Sequence, residues 1–381
     1  MEKPVSDSRK SEELPFDNRL LFKNMLDGFA YCRMIFEGGR PVDFVYLDVN
    51  PAFETLTGLS DVVGKPVSEL IPGIHESAPE LLETYGRVVR TGVPERFETR
   101  LEAMGIWFDV SVFRPAENHF ITQFDNITLR KEGEEENEAV LELLGILNAP
   151  NDLPNLIRQV LEYFQKLSGC DSVGIRLKDG DDFPYFDTRG FATEFVQRES
   201  SLCVRDPEGY MVRGPDGKPV YECMCGNILC GRFDPAQPFF TTQGSFWSSN
   251  TSALLAGTTE EIRLARTRNH CNSAGYESVA LLPLRAAGKT LGLLQLNDHR
   301  TDRFQPKKIV LYERLSRHFV VALSQRLTQT ALQSSEDHYR SLVGNTNDLV
   351  FEFDGRGDFI YVNPRVATIT GFSQGDMLGR P

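Results

Sequence analysis

The sequence predicts an α+β protein of more than one domain, in which one module type occurs twice. Three observations carry this. The 381 residues exceed the usual length of a single domain. The stretch "YLDVNPAFETLTGLSDVVGKP" (46–66) is repeated as "YVNPRVATITGFSQGDMLGRP" (361–381). In both, Asn-Pro (Asn50-Pro51, Asn363-Pro364) is followed by Thr-Gly (Thr57-Gly58, Thr370-Gly371) and then by Gly-Lys-Pro or Gly-Arg-Pro. Finally, segments that alternate apolar and polar residues up to a turn are interleaved with segments whose apolar residues step by three and four.

Taken in order, residues 1–17 form a polar tail. Cys32 in "GFAYCRMIF" sits on an apolar strand and belongs to a core. "RPVDFVYLDVNPAF" alternates as a strand does into an Asn-Pro turn, where Asn50, like Asn363, is expected to satisfy backbone groups. After short helical pieces, "RFETRLEAMGIWFDVSVFRPAENHFITQFDNIT" gives about three strands with turns at Met104-Gly105 and 115–118. The acidic segment 132–150 reads as a linker helix, with Val140, Leu143 or Leu144, and Leu147 on a narrow apolar stripe.

A second domain, 151–328, opens on a helix marked by Leu156, Val160, Phe164 (or Tyr163) and Leu167 and ended by Gly169. "DSVGIRLKDG" is a strand and turn, and "YESVALLPLRAAGKTLGLLQLNDHR" is an antiparallel pair about an Ala-Gly turn. From Pro306 a helix of about 25 residues is expected. Its two stripes (Tyr312, Leu315, Phe319, Ala322; Val320, Leu323, Leu327, Ala331) suit packing on its own domain and on a partner helix. Residues 329–381 hold a linker and the second repeat, a half-module too short to bury its own core. The chain therefore reads as the front part of a longer protein.

A net charge of −13 with no Lys/Arg block argues against nucleic-acid binding. The polar start lacks a signal-peptide core, and no apolar run approaches the ~18–20 residues of a membrane span, so a cytoplasmic location is expected. An odd count of seven cysteines argues against a disulfide framework. Five of them fall between Cys203 and Cys271.

The repeated residues, together with the closing "FDNITLRK" (124–131), resemble the PAS domain. The middle domain is similar to a GAF domain through Gly275-Tyr276-Glu277-Ser278, Pro283-Leu284 and Gly292-Leu293-Leu294-Gln295-Leu296. The resemblance makes 18–131 a PAS domain, 151–328 a GAF domain and 329–381 the start of a second PAS domain. It implies five-stranded antiparallel sheets flanked by helices. It also implies sensing of a small-molecule or redox signal, and joining helices that relay it along a homodimer. Such arrays stand before the output domain of a two-component histidine kinase acting on a response regulator, less often before a diguanylate cyclase or a transcriptional activator. A cofactor-free interaction scaffold is a further alternative. No Walker loop, nucleotide lid or kinase catalytic loop is found, so no catalytic residue is assigned.

The cysteines are the candidate site. Cys223 and Cys225, at i and i+2, share a face if they lie on a strand and can bite one metal if they lie in a turn. Cys230 follows across Gly226, and Cys271 lies just before the Gly-Tyr-x-Ser strand. Four thiolates suit zinc or an iron–sulfur cluster, with Cys203 a further ligand, although C-x-C-x4-C matches no common run. Haem is the alternative, with His270 as axial ligand and a cysteine as second attachment. A third reading is a thiol redox switch favoured by Arg266, Arg268 and His270, and a fourth is cysteine as plain core residue. Trp247, with Phe239, Phe240 and Phe246, forms either a wall around a flat ligand or packing of a long insertion. His75 reads as a loop residue, and the flavin-binding pattern of light-sensing PAS domains is absent.

Overall fold

The computed structural model describes residues 18–264 and 268–381. The chain divides into two compact units, Met1–Asn137 and Glu138–Pro381. The first unit contains helix α1 (Asn18–Asn24), strands β1 (Gly28–Glu37) and β2 (Arg40–Val49), helices α2 (Pro51–Thr57), α3 (Val67–Leu70), α4 (Ile74–Ser77) and α5 (Pro79–Thr91), then β3 (Glu95–Leu101), β4 (Ile106–Phe113) and β5 (His119–Asn126). The strands form one sheet in the order β2-β1-β5-β4-β3, antiparallel throughout. A Gly38-Gly39 turn, left-handed at both residues, lets β1 fold straight back into β2. Phe44, Tyr46, Phe53, Phe120 and Phe124 meet edge to face beneath the helices. They leave an apolar cavity of about 50 Å³.

Asn50 is a buried cap that ties three segments together. Its Oδ1 accepts from the amides of Phe29 (2.9 Å) and Phe53 (3.0 Å), and its Nδ2 donates to the carbonyl of Asp27 (2.9 Å). Asn363 repeats the device, accepting from Val350 N and donating to Val343 O and Asp348 O. The turn role read from sequence holds at both positions. Asn50→Ala leaves these backbone groups unpaired and is expected to destabilise the first unit by about 2 kcal/mol. Urea unfolding followed by Trp107 fluorescence in a Trp247→Phe background measures it, since each unit holds one of the two tryptophans. A change under about 0.5 kcal/mol would contradict the role.

Helix α6 (Thr128–Asn148) starts earlier than the 132 expected. Asn126 Oδ1 accepts from Thr128 N, and Thr128 Oγ1 accepts from Trp107 N, so the last strand turns directly into the helix.

In the second unit follow α7 (Leu153–Ser168), β6 (Ser172–Leu177), β7 (Tyr185–Arg189), α8 (Thr193–Arg198), α9 (Cys223–Cys230), β8 (Phe246–Ser248), α10 (Thr251–Gly257), α11 (His270–Ser273), β9 (Ser278–Ala286), β10 (Lys289–Asp298) and α12 (Pro306–Asn345). Asp152 caps α7 through Asn155 N, and Gly169, at φ 62, closes it. The sheet order β7-β6-β10-β9-β8 is that of the first sheet when strands are counted within each domain.

The two faces of this second sheet differ in chemistry. One is wholly apolar: Val173, Ile175, Leu177, Ala280, Leu282, Leu284, Leu294 and Leu296 pack with Leu156, Val160 and Phe164 of α7 and with Tyr312, Leu315, Phe319 and Leu323 of α12. Burying each such side chain stabilises the domain by about 1.5–3 kcal/mol. The alternate residues of the same strands face α9 and the aromatic insertion.

Helix α12 runs on to Asn345, well beyond the expected 25 residues. Its buried residues end at Leu323, and Ala331, Leu332, Tyr339 and Leu342 are exposed. The last module pairs β11 (Phe351–Phe353) with β12 (Phe359–Val362), followed by α13 (Arg365–Thr370) and α14 (Gln374–Met377). Phe351, Phe353 and Ile360 remain about half exposed, since two strands provide no opposing layer.

Candidate thiol site in the middle domain

The face of the second sheet turned away from α12 carries buried polar residues. Ser172, Arg176, Gln295 and Asn297 are all at or below 1 % exposure. Arg176 lies flat against Tyr185, its guanidinium carbon 3.6 Å from the ring centre. Its two terminal nitrogens donate to Phe183 O (3.0 Å) and Glu199 O (2.6 Å). Tyr185 Oη donates to Gln295 Oε1 (2.9 Å), and Gln295 Nε2 donates to Asn297 Oδ1 (3.0 Å). Two further nitrogens, Arg176 Nε and Asn297 Nδ2, are buried without a partner among the described residues. A polar array of this size in a core is expensive unless it does something.

Two cysteine sulfurs meet at this array. Cys225 Sγ is 3.9 Å from Gln295 Oε1, and Gln295 Nε2 points at Cys271 Sγ from 3.7 Å. Cys223 joins them: together with Cys225, His270 and Cys271 it lines a cavity of about 60 Å³. The neighbouring Cys225 thiol, with the amides of Arg268 and Met224, brings the Cys223 pKa down to about 7 despite burial. The two neighbours go the other way. Donation to Cys223 and burial push the Cys225 thiol well up, and burial takes Cys271 to about 12. One thiolate-prone sulfur thus stands between two thiols that keep their protons.

The geometry at Cys223 is strained. Cys223 begins α9 at φ 68, in the left-handed region that a Cβ disfavours. A Cβ on Gly226 would stand 2.5 Å from Tyr221 Cβ, so the first turn of α9 is pressed onto the preceding chain. Gly226→Ala is expected to displace that turn and to destabilise the domain by about 2 kcal/mol. Unfolding followed by Trp247 fluorescence in a Trp107→Phe background tests this, with no change as the contrary result.

Several sequence expectations are corrected here. Cys223 and Cys225 start a helix rather than sit on a strand or in a turn. At a rise of about 1.5 Å per residue, the far end of α9 lies roughly 10 Å from its start. Cys230 occupies that end, exposed, among Arg232, Lys218 and Asp216. Cys203 turns to the carbonyl of Asp181 at 3.4 Å. The four-sulfur ligand set is therefore not assembled, and among the described residues no three His, Cys, Asp or Glu side chains are placed to hold a metal ion. Trp247 packs on the α12 side of the sheet, because its neighbour Phe246 takes the cysteine side. Phe239, Phe240 and Phe246 pack on one another as insertion core.

His270 Nδ1 is 2.6 Å from the buried carboxylate of Glu199. A cavity of about 60 Å³ is far below the several hundred Å³ that a haem-sized ligand fills. Arg268 assists Cys223 through its backbone amide, while its guanidinium binds Glu222 and Ser201 O. Arg266 lies outside the described residues. His75 is exposed on α4.

Sequence reasoning did not find Arg176, Glu199, Gln295 and Asn297. The signal was the alternation of "SVGIRL" and "LLQLND", which ordinarily marks a strand with one wet face.

Comparison with known families completes the picture. The model of the PAS domain matches residues 18–90, and that of the PAS fold matches 337–381. The chain carries PAS domains. Between these two segments lies the middle domain, an antiparallel sheet flanked by helices. The solved structures similar to this PAS array include a domain of a two-component sensor histidine kinase protein from Sinorhizobium meliloti (14 % identity, 48 % of this chain and 98 % of that one, TM-score 0.32). Also similar are the GAF domain of a phosphoenolpyruvate-protein phosphotransferase from Coxiella burnetii (11 %, 51 % and 96 %, 0.35) and the chromophore-binding domain of the Stigmatella aurantiaca bacteriophytochrome (15 %, 78 % and 94 %, 0.33). Comparison with curated proteins gave no match. Among the described residues, no helix is long and apolar enough to cross a membrane.

Proposed function

We propose that this PAS array is the cytoplasmic sensory input region of a two-component histidine kinase, and that its middle domain reads redox state through Cys223, Cys225 and Cys271. The observation that carries the reading is the convergence of Cys225 and Cys271 on Gln295, beside a Cys223 whose charge is favoured by three donors. The chemistry follows from that arrangement. The Cys223 thiolate attacks a peroxide oxygen, forming a sulfenic acid and releasing water after one proton is taken up. The Cys271 thiol then attacks the sulfenic sulfur, forming a disulfide and a second water. Cys271 is favoured over Cys225 as resolving thiol because it comes from a separate element, whereas Cys225 is two residues along the same helical turn.

The signal has a short path. A bond between α9 and α11 pulls on Val279, Leu281 and Leu293, and the alternate residues of the same strands, Leu282 and Leu294, pack against α12. The exposed Leu332, Tyr339 and Leu342 on α12 supply apolar contacts for the same helix of a second copy, which would carry the change onward to an output domain and its response regulator.

Titration of the reduced protein with hydrogen peroxide, followed by peptide mapping without reductant, tests the reading. The expected product links the Cys223 and Cys271 peptides and vanishes in Cys223→Ser. Oxidation that bypasses Cys223, or that is unchanged in Cys271→Ser, would defeat it.

A further inference from the structure

A second cleft lies against α12 itself, at the β8–β9 edge of the middle sheet. Strand β8 is three residues long and pairs with β9 only over Val279–Leu281. Beyond it the edge of β9 opens into a cleft of about 300 Å³, bounded by Gln243 and Ser245, by Leu282, Pro283 and Arg285, and by Glu313, Ser316, Arg317 and Val320 of α12. Two hydroxyls in its wall, Ser245 Oγ and Ser316 Oγ, have no partner among the described residues although the two serines are only 1 % and 3 % exposed. Unpaired buried hydroxyls on two separate elements, lining one cleft, mark a place built to receive polar atoms.

The charges say which kind. Arg285 holds a half-buried guanidinium there, anchored by its donation to Ile228 O at 2.5 Å, and burial lowers its pKa. Arg317 adds a second cation at the rim. Glu313 is 9 % exposed and accepts from Thr241 Oγ1 at 2.5 Å, which fixes its carboxylate in the cleft wall. A simple anion in this cleft would face Glu313, and a simple cation would face two arginines. A molecule carrying both charges meets an opposite charge at each end, with Leu282, Pro283 and Val320 left for an apolar side chain.

We propose that the cleft binds a small zwitterion of the α-amino-acid class. The carboxylate lies toward Arg285, Arg317 and the two serines, and the ammonium toward Glu313. Its volume sits at the lower end of ligand sites, which suits a molecule of this size. Glu313, Ser316 and Val320 recur at i, i+3 and i+7 on one face of α12, so an occupant touches the long helix without passing through the cysteine array. Occupancy shifts the helix to the extent that its two arrangements bind the ligand unequally. The proposal does not depend on the thiol reading.

The test uses the full 381-residue chain, with the proteinogenic L-amino acids at about 10 mM as thermal-shift probes and calorimetry on those that respond. At least one is expected to bind with a Kd below about 1 mM. Its decarboxylated and deaminated counterparts (for leucine, 3-methylbutylamine and 4-methylpentanoate) are expected to bind at least about tenfold more weakly. Glu313→Gln and Ser316→Val, the second of which fills the cleft with methyl groups, should each weaken binding by about tenfold while keeping a cooperative unfolding transition. The proposal is overturned if no amino acid shifts the transition, if either single-charge counterpart binds as tightly, or if Ser316→Val retains full affinity.

Discussion

Replacing Arg176 by methionine is expected to destabilise the middle domain by about 3 kcal/mol, the largest single loss among the changes considered. The side chain is fully buried on β6, so nothing of its contribution is diluted by solvent. Its removal takes the donors from two buried carbonyls, Phe183 O and Glu199 O, and takes the cation from the face of Tyr185. No water-facing route replaces either donor. Methionine restores most of the volume, which separates the polar loss from a cavity effect. Arg176→Lys should lose nearly as much, because an ammonium can neither fork to both carbonyls nor lie flat on the ring. Urea unfolding followed by Trp247 in a Trp107→Phe background gives the number. A loss below about 1 kcal/mol for methionine would mean that the guanidinium is tolerated in the core rather than required by it. The same substitution loosens Tyr185, whose hydroxyl holds Gln295 between two sulfurs, so the spacing of Cys225 and Cys271 should loosen as well.

What the sequence made legible was what depends on short-range pattern. The Asn-Pro repeat marked two caps whose side chains do the same three-way job at Asn50 and Asn363. The stripes at Leu156, Val160 and Phe164 and at Tyr312, Leu315 and Phe319 located the two helices that cover one face of the middle sheet. The Ala287-Gly288 turn, left-handed at both residues, gave the hairpin. The site was legible only in part. Clustered cysteines pointed to the right segment, but spacing along a chain does not say whether that chain is helix or strand. A stretch folding back across Gly226 would bring Cys230 within reach, whereas the straight helix α9 holds it at the far end. Whether Trp247 walls a ligand or packs in the core was not legible, because a three-residue strand has too few positions to show its alternation. Arg176 and Gln295 were hidden for a different reason. A polar residue every second position on a strand looks like a face in water, and only the insertion folded over it reveals a buried array.

Alkylation of Cys223 by iodoacetamide is expected to reach half its limiting rate near pH 7, the value to which its donors bring it. The ordinary cysteine midpoint is roughly 8.5. Cys225→Ala removes the first of those donors and should move the midpoint upward by about one unit, lowering the rate at pH 7 by roughly fivefold. The direction is fixed by charge: a donated hydrogen stabilises the thiolate and not the thiol, so its loss can only raise the pKa. Stability follows with the same sign. Cys223, ionised more readily when folded, contributes stability that is present above about pH 8.5 and is lost as pH falls through about 7. Cys225 and Cys271, held protonated by the fold, contribute the opposite trend as pH rises beyond the ordinary thiol value. Strain supplies an independent check. Cys223→Gly accepts φ 68 without penalty and should be more stable than Cys223→Ser by about 1 kcal/mol, although both lose the reactive sulfur. A midpoint at the ordinary value that Cys225→Ala does not move would make Cys223 a buried apolar residue, and the polar array around Gln295 would then need another occupant.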